Sequence, residues 1–194
     1  MDFHMILDSV GKHITLDENE KELFTSLLQY KKIRHRQYLL NEGEICLWSA
    51  FVFKGCLKGF TMDKNGFDHI LSFAPAGWWI ADLYSLISGK PGKMNIEAVE
   101  ETDVFLLSKK DQETLYVRVP KFERFFRIIT ENSLVASQQR LLDNLSLTAE
   151  ERYLKFCTIY PTLINQLPQK QIASYIGVTP EFFSRMRSNL LRKK

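Results

Sequence analysis

Cysteine is scarce: Cys46, Cys56 and Cys157 are an odd number, far apart and without ligand spacing. A disulfide framework is thereby excluded, and reduced thiols in the cytoplasm are the expectation. The four histidines, His4, His13, His35 and His69, form no HxH or HxxxH pair. Metal and haem sites therefore lack a signature, no cofactor is expected, and His69 alone among apolar strands cannot support cupin-type metal chemistry. No Ser-His-Asp or Cys-His set has an interpretable context, so the chain does not read as an enzyme. Apolar runs stay short of the roughly 18 residues that a membrane span needs. The N-terminal MDFHMILDSVGKH has no basic stretch leading into an apolar one, so neither a membrane partner nor a secretory leader is expected.

Apolar and aromatic residues, by contrast, are plentiful. They make up 45% of the 194 residues, with 14 Phe, 7 Tyr and 3 Trp, enough to fill one large core or two smaller ones. Charge is unevenly placed. From Ala149 to Lys194 eight basic residues face three acidic ones, a local +5 that leaves −2 on the remainder. A basic end on a mildly acidic body points to a polyanion as partner of that end alone.

Periodicity divides the chain into three parts. Phe3, Ile6, Leu7 and Val10 recur at helical spacing, as do Leu23, Phe24, Leu27 and Leu28 behind an acidic first turn. From Lys32 to Ser108 the segments are short, rich in Val, Phe and Ile, and punctuated by turns such as DKNG at 63–66, which predicts an antiparallel roll or barrel. ADLYSLISGK within it reads as a short helix followed by a Gly/Pro/Lys loop. Pro120 can open a long helix to about Leu145. Its first half places Phe122, Phe125, Phe126 and Ile129 on one face; its second half carries Leu134, Val135, Gln138, Leu141, Leu142 and Leu145 in a row suited to pairing with a copy of itself. Thr148 can cap a further helix, which ends at the break YPTLINQLP. The expected domains are 1–119 (N-terminal helices and β-roll), 120–146 (long dimerisation helix) and 147–194.

The last part carries the clearest motif, QKQIASYIGVTPEFFSRMRSNL at 169–190. Ile172, Ala173 and Ile176 can pack inward, Gly177 can take the left-handed conformation of a sharp turn, and Val178 can plug it. Thr179 can cap a second helix with Pro180 in its first position. Phe183, Met186 and Leu190 then form the buried face, leaving Glu181, Phe182, Ser184, Arg185 and Ser188 outside. A small residue four positions before the turn glycine resembles a DNA-binding helix-turn-helix.

More narrowly, Gly177, Thr179, Glu181, Ser184 and Arg185 resemble the recognition-helix pattern of the Crp/Fnr family of transcription regulators. The order of segments over 20–192 is similar to that family as well. The resemblance implies an α+β fold: N-terminal helices, a cyclic-nucleotide-binding-like antiparallel β-roll, a long dimerisation helix and a C-terminal winged helix-turn-helix. It implies a homodimer on a pseudo-palindromic double-stranded DNA operator, with RNA polymerase as a further candidate partner. Chemistry then assigns roles. Arg185 can donate a bidentate pair to guanine and Glu181 can accept from cytosine. Gln169, Thr179, Ser184, Arg187 and Ser188 suit phosphate and sugar. Arg192, Lys193 and Lys194 add salt-dependent attraction, Pro180 lies at the contact end of the helix, and Phe182 can touch a thymine methyl.

The family's cyclic-AMP-binding members hold the ribose with a Glu on the short helix and the phosphate with an Arg ten residues later, followed by a Ser. The matching positions here are Asp82, Gly92 and Lys93. Glycine supplies no fork for a phosphate. An effector pocket would have to draw on Asp82, Leu83, Lys90, Lys93, Met94, Asn95 and Ser137, and an unknown small molecule, or none, is the expected effector. Two alternatives stand beside this reading: a cyclic-nucleotide-responsive regulator, and a ligand-sensing or scaffolding roll that does not bind DNA.

Overall fold

The computed structural model describes the backbone of residues 2–192 and the side chains of residues 2–190. It divides into two compact units, one of Met1–Thr61 with Ser72–Asn132, the other of Met62–Leu71 with Ser133–Lys194. The cut falls inside the long helix, not at its ends near 120 and 146, and a short piece of the β region goes with the C-terminal unit.

The chain begins with α1 (His4–Gly11) and α2 (Glu18–Ser26). Asp17 caps α2 in a reciprocal box: the Glu20 N–H donates to Asp17 Oδ1 and the Asp17 N–H to Glu20 Oε2, both at 2.9 Å. Then come β1 (Gln29–Ile33), β2 (Tyr38–Leu40), β3 (Trp48–Lys54), β4 (Cys56–Met62), β5 (Asp68–Pro75), β6 (Trp79–Ile80), α3 (Leu83–Ser88), β7 (Asn95–Ala98) and β8 (Thr102–Ser108). They form two four-stranded sheets, β1-β8-β3-β6 and β2-β7-β4-β5. The paired registers are antiparallel, as in Ala50 opposite Leu106 and Gly59 opposite Ile96. Alternate residues turn Leu40, Val52, Leu57, Ile80, Ile96, Val104 and Leu106 into one buried core between the sheets.

Helix α4 (Lys109–Arg118) was not expected from the sequence. Ser108 nucleates it by accepting the Asp111 N–H at 3.0 Å, a cap that a weak apolar pattern had masked. The long helix α5 runs Lys121–Ser146. As expected, Phe122, Phe125 and Phe126 are buried, joining Phe24, Phe51, Phe105 and Leu115 in a second core of the first unit. The rings pack edge-on and tilted, with Phe24–Phe122 centroids 4.7 Å apart and Phe125–Phe126 5.1 Å apart.

In the second unit α6 (Ala149–Ile159), a 3-10 turn (Leu163–Asn165), α7 (Gln169–Ile176) and α8 (Pro180–Arg192) pack around Tyr153, Phe156, Leu163, Leu167, Ile172, Ala173, Ile176, Phe183 and Met186. The winged form expected by resemblance is corrected here. Among the described residues no strand follows β8, and the break at 160–168 closes into the 3-10 turn, where Leu163 and Leu167 are drawn into the helical core.

Candidate nucleic-acid interface

The geometry of the 169–190 segment follows from one residue in the left-handed region. Gly177 has φ 73° and ψ 40°. Its N–H reaches the Ser174 carbonyl at 3.2 Å, and the Val178 N–H reaches the Ala173 carbonyl at 3.0 Å, which closes α7 and turns the chain. Ala173 is fully buried, so α7 meets its neighbours there with only a methyl group between. Thr179 then accepts the Phe182 N–H through Oγ1 at 3.2 Å, and Pro180 opens α8. Phe183 and Met186 are buried, with Phe183 edge-on to Tyr153 at 5.2 Å; Leu190 is only half-buried.

The opposite face of α8 is open. Glu181, Phe182, Ser184, Arg185 and Ser188 are exposed, as are Gln169 and Thr179, while Pro180 is half-buried. Among the described residues no ion pair joins Glu181 to Arg185, so their donors and acceptors stay available. Arg187 is half-buried beside Tyr153, whose hydroxyl pKa is raised, chiefly by burial. The helical phase explains this, because 187 follows the buried 183 by four residues and shares its inward side. Helix α8 includes Arg192; its side chain, with Lys193 and Lys194, lies outside the described residues.

Other cations of this unit also serve the fold. Arg152 donates from Nε to the Ile176 carbonyl at 2.8 Å and from Nη1 to the Leu147 carbonyl at 2.6 Å. It thus satisfies the open C-terminal carbonyl of α7. Lys155 pairs with Asp143 at 2.7 Å and helps hold that carboxyl below its ordinary pKa. The local excess of positive charge is therefore partly internal, which composition cannot reveal.

The effector-pocket residues divide between buried and exposed positions. Asp82 is buried and caps α3, accepting the Ser85 N–H at 3.1 Å. Its Oδ2 lies 2.0 Å from where a Cβ on Gly92 would stand. Glycine at 92 is thus what lets the carboxylate sit against the loop, and the position where the resemblance places a phosphate-binding Arg is closed by the chain itself. The loop is held further by the Gly92 N–H to the Glu44 carbonyl at 3.0 Å and the Ser85 hydroxyl to the Lys90 carbonyl at 2.6 Å. Met94 fills space beside Gly59, its sulfur 3.2 Å from a Cβ placed there. Asn95 is buried and accepts the Glu42 N–H at 2.9 Å. Lys90, Lys93 and Leu83 are exposed, and Ser137 is exposed on the half of α5 that belongs to the other unit. Sequence reading missed the buried pair of Lys58 and Glu97, facing each other across β4 and β7 with Nζ and Oε2 3.5 Å apart. The signal available was a single charge inside each of two apolar strands. Among the described residues no cluster of His, Cys, Asp and Glu could hold a metal ion, and no helix is long and apolar enough to cross a membrane.

A two-sheet roll followed by a long helix and a helix-turn-helix defines a class of architecture that comparison with solved structures places. The fold is that of the Crp/Fnr transcription regulators. FixK2 from Bradyrhizobium japonicum superposes with a TM-score of 0.74 at 20% identity, over 86% of this chain and 85% of that one. The regulator CLP from Xanthomonas campestris, which responds to c-di-GMP, gives 0.74 at 12% identity over 91% and 93%. A putative Crp/Fnr regulator from Eubacterium rectale gives 0.70 at 14% over 92% and 85%. No protein-family model matches the sequence, and no curated protein matches it.

Proposed function

We propose that this protein is a homodimeric, sequence-specific regulator of transcription that reads double-stranded DNA with α8. The observation that carries the reading is the open face of that helix. Glu181, Phe182, Ser184, Arg185 and Ser188 stand exposed while Phe183 and Met186 anchor the helix from behind. A hairpin serving only as a structural cap would bury or neutralise that face. Arg185 reads guanine and Glu181 reads cytosine, while Gln169, Thr179, Ser184 and Ser188 fix the register on sugar and phosphate. The partner for dimerisation is a second copy of α5. Leu134, Val135, Leu141, Leu142 and Leu145 are 56–79% exposed along one helix, an apolar row that water leaves uncovered at a cost. Pairing of these rows presents two α8 helices to a pseudo-palindromic operator.

The roll does not take cyclic AMP in this reading, because the Asp82 carboxylate occupies the space beside Gly92. Its effector is a different small molecule or none. Selection of bound sites from a random double-stranded DNA pool tests the DNA reading. Arg185→Ala should then lose about 1–3 kcal/mol on the selected site and relax the preference at one base pair. An equal loss on random DNA would reassign Arg185 to phosphate.

A further inference from the structure

Strand β5 lies at the edge of its sheet, after β4 in the order β2-β7-β4-β5. An edge strand shows unpaired N–H and carbonyl groups. Here two side chains of the second unit satisfy them at the hairpin 62–71. The Arg140 guanidinium, from α5, donates through Nη1 to the Leu71 carbonyl and through Nη2 to the carbonyls of Ile70 at 2.6 Å and Tyr175 at 3.2 Å. Its Cζ lies 4.4 Å from the centre of the Tyr175 ring. Ser174, from α7, accepts the Ile70 N–H at 3.0 Å and donates to the Asp68 carbonyl at 2.5 Å. Burial pushes the Arg140 pKa below its ordinary value, and the groups that act on its charge are the phenols of Tyr160 and Tyr175, not a carboxylate. Carbonyl dipoles and an aromatic face thus compensate the cation in place of a counter-ion.

Three elements meet at this one side chain: the hairpin, the long helix and the last turn of α7. Ser174 and Tyr175 stand immediately before Ile176 and the Gly177 turn, after which α8 begins. Gripping that turn fixes the direction in which α8 leaves it, and none of the exposed α8 residues is used. We propose that Arg140 and Ser174 are positioning residues for DNA reading: they clamp the hairpin 62–71 to the end of α7 and so hold α8 in one orientation. This rests on the DNA-binding function proposed above.

The full chain carrying Arg140→Lys, Ser174→Ala or Ser174→Thr tests it, with a site selected from random DNA as probe. Lysine keeps the charge but loses the planar fork, and the Ser174 variants are the milder ones should the Arg140 variant fail to fold. In Ser174→Ala the Ile70 amide should exchange with solvent faster in the free protein, and Ser174→Thr should restore its protection. Ser174→Ala and Arg140→Lys should each bind the selected site about tenfold more weakly, the cost of ordering a loosened reader on DNA, with a smaller change on random DNA. Unchanged site affinity despite faster Ile70 exchange would overturn the positioning role. So would tighter binding, which would make the clamp inhibitory. Failure of the unaltered protein to select any DNA would overturn the DNA reading together with this one. A clamp failure alone differs from that outcome, because the unaltered protein then selects a site and the variants match it.

Discussion

The two ends of the molecule treat their polar groups in opposite ways. On α8 the chemistry-bearing side chains are exposed and held away from one another, with their bonding capacity unspent on the fold. In the roll Asp82 and Asn95 are turned inward and bonded to the fold. Asp82 caps a helix and packs on Gly92, Ser85 bridges the Cys46 N–H and the Lys90 carbonyl, and Asn95 holds the Glu42 N–H. A residue of the right type at the right spacing is thus functional only while the fold leaves it unsatisfied.

The strongest way to break that contrast is to collapse the reader while leaving the roll intact. Phe183 is fully buried against Tyr153, so Phe183→Ala should cost about 3–5 kcal/mol within the second unit. Differential hydrogen exchange should show α6–α8 loosened and the sheets protected as before; uniform loss would mean the two units fold as one. A smaller effect probes the roll. Gly92→Ala would drive a methyl into the Asp82 carboxylate and should destabilise by about 1–3 kcal/mol in denaturant titration. Adding Asp82→Ala to it should recover part of that loss, and tight calorimetric binding of cyclic AMP by the unaltered chain would refute the closed-pocket account. The least effect on the folded protomer comes from the exposed row of α5. Leu142→Asp should change monomer stability by only about 0.5 kcal/mol, yet in sedimentation it should shift a dimer to monomer, because a charge facing its own copy costs far more than one facing water.

Local patterns in the chain are legible without the packed fold. The capped start of α6 at Thr148, the aromatic face of α5 and the Gly177 turn all depend on residues within a few positions of one another. Helix α4 escaped because its apolar pattern is weak and its cap stands at the end of a strand. The candidate interface was legible in its outward residues, since helical phase alone sets them. That Arg187 lies beside Tyr153 was not legible, because Tyr153 belongs to another helix. The effector pocket was legible as a set of positions and not as a filled space, since the Asp82–Gly92 contact cannot be inferred from either residue's own neighbours.

The segments, their caps, the turn at Gly177 and the outward side of α8 follow from the order of residues alone, because they depend on short-range sterics and hydrophobic period. Which charges are used inside the fold is set by packing. Arg152 closes α7, Arg140 and Ser174 hold a hairpin 69 to 106 residues away in the chain, and the Asp82 carboxylate fills the space beside Gly92. Such partners meet only when the chain has packed, and no local preference names them in advance.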